Sequence, residues 1–190
     1  MIKGIILKLA NGYFEIVDGS KPEVISENAP FLEYTENGIF HAEVSPDIGI
    51  SYDARIILPC NLRMEFVQIS LCEGALAAYG FDTGTFDMDI KNASFSTGLI
   101  KTRRMNVSLG NGSAVISAAP LIGGSFECGS GSMTVNLQRN PHGYKFYSSR
   151  GEGEVVINSV HTPRNYICQD CGDTEIKLRC GLGRMEINYL

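Results

Sequence analysis

Between residues 67 and 135, apolar and polar residues alternate along the chain, and the alternation recurs every 19 residues. Aligned at that spacing, four of five columns are apolar at nearly every position: Val67, Phe86, Met105 and Gly124; Ile69, Met88, Val107 and Phe126; Leu71, Ile90, Leu109 and Cys128; Leu76, Phe95, Ala114 and Met133; Ala78, Thr97, Ile116 and Val135. Alternation with a period of two indicates strands with one buried and one exposed face. Its fixed recurrence indicates that each turn stacks on the previous one, ~4.8 Å away. The pattern therefore predicts an all-β fold, a right-handed single-stranded parallel β-helix (solenoid) with turns of about 19 residues.

Glycine and asparagine mark the bends of the repeat and extend it beyond residue 135. The bends fall at Glu73-Gly74, Asn92-Ala93, Asn111-Gly112 and Ser130-Gly131, where residues that tolerate a positive φ recur. Glycine pairs return at residues 129 and 131, 151 and 153, and 181 and 183, which predicts two looser turns with loops at residues 140–143 and 159–173. After these pairs come Asn136, Asn158 and Asn188, which either stack as an amide ladder or stand unstacked at exposed bends.

The first 66 residues repeat the alternation less regularly. Pro22, Pro30, Pro46 and Pro59 separate the candidate strands, at positions where a missing N–H does least harm. We therefore expect residues 1–66 to form an N-terminal cap with irregular first turns, and residues 67–190 to form the regular solenoid. No linker divides the two parts, which predicts one continuous domain overall.

Composition and charge narrow the function classes. The net charge of −5 argues against nucleic acid, which favours clustered lysine and arginine. No apolar run approaches the ~20 residues that span a bilayer, and Lys8 interrupts the only apolar stretch near the N-terminus that resembles a signal peptide. The sequence as written thus predicts a cytoplasmic protein without a membrane span, or an envelope-associated one if it is part of a longer chain. Its six cysteines are compatible with a reducing compartment, where thiols act as small buried hydrophobes.

One cysteine cluster has the spacing of a metal motif. Cys168 and Cys171, with Cys180 and His161, are weak candidates for the four ligands of a structural zinc site. Cys180, however, occupies the same repeat column as Cys128, and the pattern places that column inside the solenoid. Buried or loop thiols are the favoured interpretation, it stays open whether Cys168 and Cys171 bind a metal, pair with each other or stay free, and no cofactor is expected.

Three carboxylates lie at outward positions of the repeat: Asp87, Asp89 and Glu127. Some large parallel β-helices cleave acidic polysaccharides with carboxylates on an outer face, yet scattered carboxylates are more often solvated surface. The histidines at positions 41, 142 and 161 have no Ser or Cys partner at a recognisable spacing. Since no nucleophile, base and oxyanion set can be nominated, we expect no catalytic residues and predict that the protein is not an enzyme.

The closing turns resemble those of the bacterial putative-adhesin family, a group of auto-transporter-adhesin-like β-solenoid domains. The resemblance is carried by Leu137 to Tyr144, Phe146, Ser149, Gly151, Gly153 and Val155, and by the extended segment Ile56-Ile57-Leu58-Pro59. It covers nearly the whole chain and implies a right-handed β-helix with a non-catalytic, envelope-associated or scaffold role. The chain departs from many members in its six cysteines and in lacking a leader or membrane segment.

Two functional hypotheses follow from the sequence. The first is a non-catalytic β-solenoid module that binds or scaffolds an extended protein or glycan partner along its flat faces. The second is a self-assembling cytoskeletal β-solenoid resembling bactofilins. The second depends on residues 183–190, which stop within a strand pattern and would leave an uncovered edge for self-association, although Arg184 and Glu186 put charge on that strand.

Overall fold

The chain is all-β in a computed structural model that describes residues 2–28, 30–44, 51–59, 63–138, 140, 142–168 and 172–189. The strands are β1 (Gly4–Asp18), β2 (Glu23–Ser26), β3 (Leu32–Glu36), β4 (Ile39–Glu43), β5 (Tyr52–Leu58), β6 (Arg63–Ala78), β7 (Phe81–Cys128), β8 (Ser132–Leu137), β9 (Tyr144–Arg150), β10 (Glu154–Ile157), β11 (Val160–His161), β12 (Asn165–Ile167), β13 (Thr174–Cys180) and β14 (Arg184–Tyr189). They form one sheet that does not close on itself and that mixes parallel with antiparallel pairs. The all-β prediction is therefore confirmed.

The middle of the sheet pairs segments that are 19 residues apart. Strand β6 runs parallel to the start of β7, in a register that extends from Arg63 opposite Asp82 to Ala78 opposite Thr97. Side-chain hydrogen bonds further along β7 keep the same spacing, as in the 3.1 Å bond that the amide of Asn111 donates to Asn92. Most inward positions are apolar, with the buried threonines Thr83 and Thr102 as exceptions, so this part of the sheet has a continuous core.

The N-terminal strand is not at the end of the sheet. Along one side, β1 pairs in parallel with β6, so that Gly4 lies opposite Phe66. Along the other side it pairs in parallel with β4 and β5, so that Gly4 also lies opposite Ile39. Residues 4–18 therefore lie between segments that follow them in sequence, which the sequence pattern did not predict.

The C-terminal segment is enclosed in the same way. Strand β13 lies between β7 and β9, and β14 lies between β8 and β10. The prediction that residues 183–190 leave an uncovered edge is wrong for Arg184–Tyr189, the part that the structure describes. The physical reason is that Met185 and Ile187 match the buried apolar positions of β8 and of β10 equally well, so the pattern predicted the strand but not its neighbours.

Antiparallel strands border the parallel ones at both ends. Strands β2 and β3 pair with β5 and β4 near the N-terminal end, and β11 and β12 pair with β10 and β9 near the other. The asparagine ladder has two members, because Asn188 donates to Asn136 at 3.1 Å. Asn158, at a φ of 44°, instead bonds both backbone groups of Tyr189, with distances of 3.0 and 2.8 Å.

Two glycines lie where neighbouring strands come closest. Gly74 and Gly112 have φ values of 102° and 105°, a region that residues with a side chain rarely adopt. A Cβ at either position would also collide with a backbone carbonyl of the adjacent segment, at Gly12 and Ala93 respectively. These two glycines therefore allow the neighbouring segments to pair at the sheet spacing.

Candidate ligand-binding groove

Two rows of outward-facing side chains cross the N-terminal half of the sheet. The first row contains Asp53, Tyr13, Ala75, Ser94 and Ser113; the second contains Ile25, Arg55, Glu15, Ala77, Ser96 and Val115. Strand pairing fixes both rows, and a 3.1 Å bond from the Ser113 hydroxyl to that of Ser94 holds the last step. The rows line an open groove of about 660 Å³, which we call the Tyr13 groove.

The floor of the groove is made of small side chains. Ala75 and Ala77 on β6 adjoin Ser94 and Ser96 on β7, whereas Tyr13, Glu15 and Val115 on the two sides are larger. Tyr13 and Val115 are three strand spacings apart, which corresponds to about 14 Å. The groove therefore arises because four neighbouring outward positions lack long side chains.

Three large apolar side chains border the groove and are exposed. Tyr13 is 66% exposed, Ile25 is 50% exposed and Val115 is 48% exposed. Single exposed hydrophobes are ordinary on a protein surface, but several around one concavity are typical of a site that binds another molecule.

The groove carries a net negative charge. Arg55 donates to the Glu15 carboxylate at 2.9 Å, so these two charges are paired. Glu27 and Asp53 also line the groove, and within the described ranges neither carboxylate has an ion-pair partner. Three carboxylates against one guanidinium leave two negative charges in the lining.

A second outward face carries the three carboxylates that the sequence singled out. Asp87, Asp89 and Glu127 line one groove of about 370 Å³, together with Gln68, Ser70, Asn106, Ser108 and Ser125; we call it the Asp87 groove. The Asn106 amide donates to Asp87 at 2.7 Å, and Arg179 donates to Glu127 at 3.2 Å. The structure thus brings the predicted carboxylates together, with Asp87 and Glu127 engaged by neighbouring side chains.

Of the four metal candidates, the three that the structure describes do not converge on one point. Cys168 is disulfide-bonded and so presents no thiolate. Cys168 and His161 both line a cavity of about 180 Å³. The Nδ1 atom of His161 lies 3.9 Å from the Glu154 carboxylate. Cys180 is buried in the core opposite Cys128, and Cys171 lies outside the described residues. Within the described ranges, no three His, Cys, Asp or Glu side chains are grouped to hold a metal ion.

The buried thiols differ from reactive cysteines. Burial raises the pKa of Cys128 to about 11, and burial also raises the pKa of Cys180. The Cys128 sulfur donates to the carbonyl of Gly131 at 3.2 Å. Because a thiolate is the nucleophile and metal ligand, these two side chains act as core residues at neutral pH.

Sequence reasoning missed the Tyr13 groove. Tyr13, Ile25 and Arg55 come from the irregular N-terminal region, where no site was assigned. One signal was present in the repeat, since the outward positions 75, 77, 94, 96 and 113 are all alanine or serine. A run of small outward residues at the repeat spacing predicts a depression in the face.

The fold is shared with a solved bacterial structure. A "putative cell adhesion protein" from Clostridium sporogenes is similar to this chain with a TM-score of 0.52 and 16% identity, covering 100% of this chain and 93% of that one. Two structures each described as a "putative adhesin" have lower TM-scores. The one from Parabacteroides merdae gives 0.40 at 11% identity, covering 98% of this chain and 91% of that one. The one from Bacteroides fragilis gives 0.29 at 12% identity, covering 100% and 93%.

Other comparisons add no family. No protein-family model matches the chain, and no curated protein matches it either. The part of the chain that the structure describes contains no helical segment suited to crossing a bilayer. At 16% identity the C. sporogenes structure establishes the shared fold alone.

Proposed function

We propose that this protein is a non-catalytic, adhesin-like binding module built on a right-handed parallel β-helix, and that the Tyr13 groove is its binding surface. The parallel pairing of β6 with β7 at an offset of 19 residues supports the β-helix. Polar side chains that bond at the same offset, including Asn92 with Asn111 and Ser94 with Ser113, support stacked turns of this length.

The observation that carries the proposal is the grouping of exposed apolar side chains around a small-residue floor. Tyr13, Ile25 and Val115 would lose water-exposed apolar area if a partner filled the groove. Burial of apolar surface stabilises a complex by roughly 25 cal/mol per Å² before the costs of association. The Asp87 groove offers no comparable apolar border.

The adhesin-like role is supported by the fold shared with the C. sporogenes protein, which is described as a putative cell adhesion protein. We accordingly propose an envelope-associated location, where a binding module of this kind would meet an extended partner. The exposed groove, open along one face, suits such a partner better than a small enclosed ligand.

End-to-end self-assembly of the bactofilin type is not our proposal. Its supporting feature was an exposed C-terminal strand, and β14 instead has a parallel partner on each side. The antiparallel strands β3 and β11 lie at the two ends of the main strand order, an arrangement that blunts sheet edges.

The proposal is tested by filling the groove. Ala77→Arg puts a long side chain in the floor, and Ser108→Arg makes the same addition of length and charge in the Asp87 groove. Wild type and both variants would be applied to peptide and oligosaccharide arrays. We expect wild type and Ser108→Arg to retain the same ligands and Ala77→Arg to lose them. Equal retention by all three would exclude the Tyr13 groove as the binding surface.

A further inference from the structure

We infer that the occupant of the Tyr13 groove is an extended polypeptide segment that alternates basic with apolar side chains. The inference rests on the proposed function, since it names the partner of that same groove. It follows from three properties of the lining: its charge, the chemistry of its apolar border and the spacing of its outward positions.

The charge of the lining favours a basic partner. Glu27 and Asp53 lie on the β2 and β5 side of the groove without an ion-pair partner in the described chain, and Arg55 is already bound to Glu15. The exposed ring of Tyr13 lies beside Asp53 in the neighbouring strand, and an aromatic face also attracts cations. A lysine or arginine reaching this side would therefore meet two carboxylates and a ring.

The apolar border favours a polypeptide over a saccharide. Ile25 and Val115 are aliphatic and half-exposed on opposite sides of the groove. Sugar hydroxyls would leave these side chains without apolar contact, whereas valine, leucine or isoleucine side chains of a peptide would cover them. Tyr13 alone could stack on a sugar, but two of the three border residues could not.

The spacing of the floor favours an extended segment. Successive outward residues on one strand, such as Ala75 and Ala77, are about 6.6–6.8 Å apart. Alternate residues of an extended peptide have the same repeat, so a peptide lying along the strands would direct every second side chain into the groove. Strand β6 is paired on both sides, with β1 and β7, so recognition would depend on side chains and not on the addition of a strand to an edge.

The experiment measures fluorescence anisotropy with three short labelled peptides of equal length. One alternates lysine with valine, one serine with valine and one glutamate with valine. We expect the lysine–valine peptide to bind wild type most tightly, and its affinity to fall as salt is added, because screening weakens exposed charge pairs.

Two double variants distinguish the effect of charge in the Tyr13 groove from the effect of the protein's overall charge. The double variant Glu27→Gln with Asp53→Asn removes two charges from the Tyr13 groove, and Asp87→Asn with Asp89→Asn removes two from the Asp87 groove. We expect the first to bind the lysine–valine peptide about tenfold more weakly and the second to bind within about twofold of wild type. Far-ultraviolet circular dichroism and urea unfolding check that both double variants are folded.

Four results would overturn the inference. Equal loss of affinity in both double variants would mean that overall charge and not the groove attracts the peptide. Equal binding of the lysine and serine peptides would remove the requirement for basic residues. If wild type binds oligosaccharides but no peptide, and Ala77→Arg loses that binding, a polypeptide partner is excluded while the proposed function stands. If neither peptide nor oligosaccharide binds, the proposed function fails as well.

Discussion

The Tyr13 groove and the Asp87 groove both lie on outward positions of β6 and β7, yet their side chains differ. In the Asp87 groove, polar side chains on neighbouring segments bond to each other, as Asn106 does by donating to Asp87 at 2.7 Å. Ion pairs flank it on both sides, Lys8 with Glu43 at 2.9 Å and Arg179 with Glu127 at 3.2 Å. In the Tyr13 groove, small residues form the floor and large apolar residues remain exposed at the border.

The difference concerns side chains alone, and it is the basis of the proposal that one face binds a partner and the other does not. Both grooves depend on the same stacked strands, so strand geometry does not distinguish them. What differs is whether residues in adjacent strands are long and polar enough to contact one another. In the Tyr13 groove short side chains lie opposite each other, as Ala77 and Ser96 do, whereas in the Asp87 groove a serine lies beside a longer polar residue, as Ser70 does beside Asp89.

The largest expected effect comes from the core that both faces share. Phe126 is fully buried and its neighbour Ser125 faces outward. We expect Phe126→Ala to lower the free energy of unfolding by about 3–5 kcal/mol, because it leaves a cavity in the shared core. Ser125→Ala is the matched control and should stay within about 0.5 kcal/mol. Urea unfolding measures both, and similar losses would show that the inward and outward positions are not distinguished as described.

The interior should also respond to high pH. Burial raises the pKa of Cys128 from 9.0 to about 11 and that of Tyr144 from 10.0 to about 12. Below pH 9 the Cys128 thiol is protonated in both states and its contribution is constant. Between about pH 9 and 11 the unfolded chain loses the proton first, so the free energy of unfolding should fall as pH rises. A series of urea titrations should show a shallower fall for Cys128→Ala; an unchanged slope would contradict the assigned burial.

Replacing two small residues in the floor of the Tyr13 groove with asparagine tests the comparison between the two grooves. Ala77→Asn with Ser96→Asn would build in the floor of the Tyr13 groove an amide pair like that of Asn92 and Asn111, which bond at 3.1 Å. We expect binding of the lysine–valine peptide to weaken about tenfold because the floor is filled, while stability changes by about 0.5 kcal/mol or less. Ser70→Asn with Ser108→Asn adds the same two amides to the Asp87 groove, on either side of Asp89, and so controls for side-chain size without forming an amide pair. Loss of binding in that control variant would remove the distinction between the grooves.

The smallest expected effect concerns the exposed ion pairs beside each groove. Arg55 with Glu15 and Arg179 with Glu127 have both partners largely in water. We expect Arg55→Ala and Arg179→Ala each to change the free energy of unfolding by about 1 kcal/mol or less, because solvent screens such pairs. A loss several times larger in thermal or urea unfolding would mean that one of these pairs organises its face.

The sequence predicted the all-β class and the inward columns, because alternation reports which side of a strand is buried. Thus Val67, Phe86 and Met105 are all buried in the core. It did not predict that β1 lies between β4 and β6, or that β14 lies between β8 and β10. Alternation describes each strand by itself, and several strands of similar pattern fit the same neighbours equally well.

The Tyr13 groove was harder to predict than the fold for the same reason. Tyr13, Ile25 and Arg55 belong to β1, β2 and β5. They meet only because β5 pairs in parallel with β1 and antiparallel with β2. The carboxylates Asp87, Asp89 and Glu127 could be grouped from the sequence because all three lie within the 19-residue repeat. The Asp87 groove could therefore be predicted from the repeat, whereas the Tyr13 groove could not, because its residues meet only through long-range strand pairing.

The most direct test of the account is chemical-shift mapping of the isotope-labelled protein as the lysine–valine peptide is added. We predict that the largest backbone amide shifts fall on residues 13–15, 75–77 and 94–96, while residues 87–89 and 106–108 change little. Shifts centred on residues 87–89 and 106–108, or spread evenly over both faces, would contradict the assignment of the Tyr13 groove as the binding surface.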